Sequence, residues 1–268
     1  MTLKKIINKS YYGSVGYISS QEDIDQLEQY ILYNLPVLKE YINIITSTTY
    51  ISDDFNLRDQ LRNTWLKYFP KSTHIDSGIS RGHSFGASDN DNALFDYCKE
   101  NNIEWLCKSA NDIIIQESLL NKEIEEADFY YTPSVGYAAL FEPYNINIEK
   151  VYVTNEYFYP QTNFYFLNIF KTDYLNDKEY INKIYNAIQN ISNYNGKAWE
   201  YGFKSCEFLL KECVERNNIS NFNLVSEEKF SILIRLIKNS IIQDPSHKNI
   251  MIEGICHFHH PEQQVIAI

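Results

Sequence analysis

A carboxylate closing an apolar strand and a cluster of imidazoles late in the chain are the residues best suited to chemistry. Asn102-Ile103-Glu104-Trp105-Leu106-Cys107-Lys108-Ser109-Ala110-Asn111-Asp112 reads as a buried strand that delivers Asp112 into a loop. Ligands of open α/β sheets gather at the carboxyl ends of strands, so an acid there is placed to hold a metal. Cys256-His257-Phe258-His259-His260 holds three of the six histidines. Strand alternation would put His257 and His259 on one face, with Cys256, Phe258 and His260 on the other. Two imidazoles at that spacing can share a cation, whereas a structural zinc site would need about four ligands and no partner Cys pair is visible. The two clusters together suggest a metal-dependent site closed by the C-terminal segment.

The elements that must position these groups follow a regular rhythm. Ser14–Ile18 reads as a first strand ending in Ser19-Ser20, and Glu22-Asp23-Ile24-Asp25 opens a helix with acids in its first turn. Tyr41–Ile45 is a second strand, released into Thr46-Ser47-Thr48-Thr49, and a helix over about Leu57–Phe69 stops at Pro70. Ser72–Asp76 is a third strand. The polar stretch from Ser77 to Asn92 reads as a loop feeding a helix over Ala93–Asn101, with Ser88 and Asp91 in capping-box spacing. The alternation of strand and helix predicts an α/β fold with a mainly parallel sheet flanked by helices.

After Asp112 the pattern changes. Ile113–Glu126 reads as an acidic helix, which Asp112 would cap. Ala127–Tyr131, Glu149–Val153 and Asn163–Phe170 read as strands. Helices are expected over about Asp177–Ile191, Lys197–Arg216 and Ser226–Ile241, with Asn249–His259 as a last strand. No repeat, low-complexity segment or linker divides the chain. One domain over 1–268 is expected, with a strand-helix half over about 12–112 and a helical C-terminal part.

Bulk properties narrow the classes. The 268 residues are 44% hydrophobic, enough for a sizeable core. A net charge of −11 argues against a generic nucleic-acid surface, which needs clustered Lys and Arg. Five cysteines without a C-x-x-C pair fit a reducing compartment, and Cys206 and Cys213 stand two helical turns apart, too far to bridge. The N-terminus lacks a signal-peptide apolar region, and no run approaches the ~20 apolar residues of a membrane span. A cytoplasmic setting is expected.

This layout resembles the nucleotide-sugar glycosyltransferases of the GT-A fold. In that family a half-Rossmann sheet binds the nucleotide, an Asp-x-Asp motif after a strand coordinates Mn²⁺ or Mg²⁺, and a C-terminal His can complete the coordination. The resemblance covers the strand order over roughly Ser14–Asp112, the mixed region beyond it and the late His cluster. It implies transfer of a sugar from a UDP- or GDP-sugar to an unknown acceptor: glycan, protein or modified nucleic acid. Asp112, His257 and His259 would hold the metal. Ser109-Ala110-Asn111-Asp112 departs from the motif, having Ala110 where the first acid belongs. A literal Asp-x-Asp, Asp89-Asn90-Asp91, follows no buried strand, and Asp23-Ile24-Asp25 lies at a helix start.

The resemblance also suggests nucleotide contacts from Ser19, Ser20 and Thr46 at the strand ends, and from Arg81, His83, Asp89 and Asp91 before the metal-motif strand. Lys108 would face the diphosphate. Inversion at the sugar needs a base for the acceptor hydroxyl, for which Glu200 is the candidate and Asp173 the second. Two other classes stay open. A module of the same fold that binds without turnover is favoured by Ala110. A nucleotidyltransferase is opposed by the lack of a Gly-rich, basic signature after the first strand.

Overall fold

The computed structural model describes residues 1–133, 160–172, 178–188, 206–238, 250–257 and 265–268. A short helix, α1 (Lys4–Ile7), precedes β1 (Ser10–Ile18), α2 (Gln21–Leu38), β2 (Ile44–Tyr50), α3 (Phe55–Tyr68), β3 (Thr73–Ile79), α4 (His83–Glu100) and β4 (Trp105–Ala110). Then come β5 (Ile113–Ile115), β6 (Phe129–Pro133), β7 (Pro160–Asn168), α5 (Lys178–Ile188), α6 (Cys206–Arg216), β8 (Asn221–Asn223) and α7 (Glu227–Lys238). The tail forms β9 (Ile250–Ile252), β10 (Ile255–His257) and β11 (Ile266–Ala267).

Seven strands make the main sheet in the order β3-β2-β1-β4-β7-β6-β8. β3, β2, β1 and β4 run parallel, β7 is antiparallel to β4 and to β6, and β8 is parallel to β6. The protein is thus an α/β fold with a mostly parallel central sheet flanked by helices. Strand alternation divides the apolar side chains between two faces. Tyr12, Trp105, Cys107, Tyr130 and Phe166 pack against Ile24, Leu27 and Ile31 of α2 and Trp65 of α3. Val15, Leu106, Tyr131, Tyr165 and Leu167 pack against Leu94 and Phe95 of α4 and Leu210 and Val214 of α6. A second sheet, β11-β9-β10-β5, joins the tail to the strand after Asp112.

Four sequence expectations are corrected. The second strand begins at Ile44 and continues through the whole Thr-Ser-Thr-Thr run to Tyr50, all of it buried. β-branched threonines suit a strand, and the Thr46 and Thr49 hydroxyls find partners there. α4 begins at His83, ten residues before the expected Ala93, so Ser88 and Asp91 lie inside it and form no capping box. Gly82, at φ 100°, ends the preceding segment, a backbone setting that favours glycine. Ile113–Glu126 is a short strand and a 3-10 turn over Glu117–Asn121, not an α-helix, so Asp112 caps no helix. The last strand is a hairpin, β9–β10, turning at Glu253-Gly254. The expected strand Glu149–Val153 lies outside the described residues.

Candidate functional site

β1 lies between β2 and β4, and the chain turns from building the sheet leftward (β1, β2, β3) to placing β4 on the other side of β1. This is a topological switch point, the place where open α/β sheets commonly bind their ligands. The Asn111 amide donates to the Val15 carbonyl at 3.0 Å, carrying the β1–β4 pairing one step past β4. A Cβ on Gly16 would lie 2.6 Å from Asn111 Nδ2, so the glycine lets the Asn111 side chain settle against β1.

Asp112 follows directly, and the tail joins it there. β10 pairs antiparallel with β5, setting His257 opposite Ile113, Cys256 opposite Ile114 and Ile255 opposite Ile115. The backbone of the first expected tail ligand therefore stands beside the residue that follows Asp112. The carboxylate field is felt locally. Burial pushes the Tyr30 phenol up to about 12 and the Cys256 thiol up to about 11, and the Asp112 charge adds to both. Burial also raises the Tyr12 phenol, against a hydrogen bond with Ser109 that lowers it, with smaller rises from Cys107 and Asp112. The side chain of His257, and all of His259, Asp173 and Glu200, lie outside the described residues.

The His83 side chain also lies outside the described residues, and the other expected contacts are already engaged. Ser19 donates to Asp23 Oδ2 through its amide and hydroxyl, each at 2.7 Å, and Ser20 forms a capping box with Asp23 that starts α2. Thr46 is buried inside β2, 2.9 Å from His74 Nδ1, so the carboxyl end of that strand falls at Tyr50 instead. Arg81 grips Asp89 with a two-point contact at 2.8 and 2.5 Å. It also donates to Asn182 at 2.9 Å and lies 4.7 Å over the Tyr185 ring, docking α5 on α4. The paired carboxylate holds the guanidinium above its ordinary pKa. Lys108 points away from the strand end into the α4 face. Its ammonium donates to the Thr162 carbonyl and stands 3.4 Å from Asp91.

Two features of the site went unread in the sequence. Asn34, on α2, bonds the edge of β5 that faces away from β10, donating to Ile113 O at 2.6 Å and accepting from Ile115 N at 2.7 Å. Its signal was a polar residue in register with Leu27, Ile31 and Leu38 on the buried stripe of a helix. Asn90 sits inside α4, its amide donating to the Gly16 carbonyl at 2.9 Å and accepting from Ser47 at 3.2 Å. It ties the end of β1 to β2 from above.

As a cation site, the described residues fall short by themselves. Among them no group of three His, Cys, Asp or Glu side chains converges. Any cage built on Asp112 would need donors from outside the described side chains.

No family model matches the sequence, and no curated protein matches it. Similar solved structures include a galactosyltransferase in complex with donor and acceptor sugar analogues, at 10% identity and TM-score 0.43, over 94% of this chain and 88% of that one. A nucleoside-diphosphate-sugar pyrophosphorylase from Vibrio cholerae is similar at 9% identity and TM-score 0.41, over 79% of this chain and 90% of that one. The inositol-1-phosphate CTP transferase from T. maritima is similar at 11% identity and TM-score 0.39, over 86% and 97%. Likenesses this distant assign no role to any residue. Among the described residues no helix is long and apolar enough to cross a membrane.

Proposed function

We propose that the protein is a glycosyltransferase that takes a sugar from a nucleoside-diphosphate sugar, with UDP and GDP as the candidate carriers. The observation that supports this most is the meeting of Asp112 and the β10 tail strand at the β1–β4 switch point. An acid and a histidine-bearing strand are ligand types for a divalent cation, which would offset the charge of a departing diphosphate. In this reading Asp112, His257 and His259 would hold Mn²⁺ or Mg²⁺, and the Ser19-Ser20 turn would lie by the nucleotide. Glu200, or Asp173, would take the acceptor proton.

Isothermal titration of the full chain with UDP and with GDP, each with and without MnCl₂, tests the proposal. Saturable binding of one nucleotide, weakened at least about tenfold in Asp112→Asn, is the expected result, since one lost charge contact is worth roughly that factor. Absence of binding by either nucleotide under both conditions would sink it.

Ala110, standing where the metal motif would have its first acid, favours a second reading: a module that binds without turnover. Slow hydrolysis of UDP-sugars by the purified protein separates the two. An active transferase releases free sugar, and the module releases none while still binding.

A further inference from the structure

β5 is three residues long and sits at the edge of the small sheet, with β10 on one side. On the other side the expected neighbouring strand is replaced by one side chain. Asn34 is 3% exposed and lies on the buried face of α2. Its carboxamide gives one donor and one acceptor, to Ile113 O and Ile115 N, the same two bonds that a facing strand residue would supply. Without them a buried carbonyl and a buried amide would lose their partners, and β5 would be held by β10 alone. Asp112 immediately precedes this clamped segment, and His257 lies opposite its first residue.

We propose that Asn34 is a positioning residue that fixes Asp112 and the tail strand β10 against the end of β4. The anchoring follows from the hydrogen bonds alone; its consequence for ligand binding rests on the sugar-transfer reading above. The role demands an amide. An aspartic acid of the same shape supplies both bonds only while protonated, and a leucine supplies neither.

The test compares the full-length protein with Asn34→Asp and Asn34→Leu by hydrogen exchange and by UDP titration between pH 5.5 and 8. After correction for intrinsic exchange, Asn34→Asp is expected to protect residues 113–115 and 255–257 nearly normally at pH 5.5. It should lose that protection at pH 8, while β1 and β2 stay protected. Asn34→Leu should be unprotected in those segments at both pH values. UDP affinity of Asn34→Asp should fall at least about fivefold across the same range relative to wild type, the low end for an unsatisfied buried group.

Among the titratable groups near this junction, the Tyr30 phenol and the Cys256 thiol are pushed up to about 12 and 11 and stay neutral throughout that range, and His257 is the same in all three proteins. Asp112 is common to all three proteins, so the difference from wild type isolates residue 34. Unchanged protection of 113–115 in both variants overturns the anchoring role, and so does a loss spread evenly over the chain. A wild type that binds no UDP overturns the sugar-transfer reading instead, and exchange still decides for or against Asn34.

Discussion

Lys108 and Asp91 meet at 3.4 Å with side chains only 5% and 3% exposed. Burial drives the Asp91 carboxyl above its ordinary pKa, and the nearby ammonium pulls it back part of the way. Taking two charges out of water costs several kcal/mol each, so such a pair holds only while both members are present. Lys108→Met is therefore expected to destabilise the fold by about 3–5 kcal/mol, because it strands the Asp91 charge. The double variant Lys108→Met/Asp91→Leu should recover most of that loss in urea unfolding. A single variant within about 1 kcal/mol of wild type would show that the pair carries little energy. The resemblance to glycosyltransferases suggests Asp91 as a nucleotide contact and Lys108 as a residue facing the diphosphate, and Asp91 also reads as part of a capping box. Their meeting depends on α4 beginning at His83 and laying Asp91 across β4, and no local pattern near either residue encodes that packing.

Elements whose register is local were legible, and those that depend on distant partners were not. The acids of Glu22-Asp23 mark the start of α2, where the structure has the Ser20–Asp23 capping box. The Ser-Phe-Gly-Ala-Ser-Asp-Asn-Asp stretch looked too polar for a helix, yet Asn90 and Asp91 are buried and bonded or paired within it. Tertiary partners there override weak propensity. In the tail, an unbroken strand was expected where Glu253 and Gly254 both take positive φ, 48° and 89°, and reverse the chain. Successive positive φ values are those of a type I′ hairpin turn, for which a non-Gly/Gly pair is the usual signature. Lys122 and Ser226 hold the Glu253 side chain over that turn. Gly254→Ala should cost about 1–2 kcal/mol, the price of the left-handed backbone for a residue with a Cβ. Its Cβ would meet Ser118 Oγ at 3.4 Å, an ordinary van der Waals contact, so the cost lies in the backbone. Hydrogen exchange should show the loss first in residues 250–257, ahead of the main sheet. Even loss across the molecule would mean that the hairpin does not open by itself.

At the scale of the whole molecule, the alternation of elements made a parallel sheet readable, but the order of its strands was not. That β4 crosses to the far side of β1, and that β7 enters antiparallel between β4 and β6, is set by long-range pairing. The β2–β3 edge of this sheet carries a pH response. His74 lies between Thr46 Oγ1 and Ser72 Oγ, each 2.9 Å from a ring nitrogen. Burial, with a smaller contribution from the charge of Arg62, lowers its pKa from 6.5 to about 4. Between those two values the unfolded chain binds a proton that the folded one does not, so stability falls as pH drops from about 6.5 to 4 and is flat above. Glu253, held below its ordinary pKa chiefly by Lys122 and Ser226 against an opposing burial effect, loses stabilisation as pH falls below about 4.5. Asp91 acts in the opposite sense, since its raised pKa favours the folded state as protons bind. The three contributions overlap in acid, so a wild-type curve alone cannot apportion them. His74→Gln removes only the first. Its urea midpoint should vary less than that of wild type between pH 6.5 and 4.5, with a difference on the order of 1 kcal/mol once the partial exposure of the ring is discounted. The two curves should run parallel from pH 7 to 8. A wild-type slope that survives the substitution unchanged would place the acid sensitivity in the carboxylates instead.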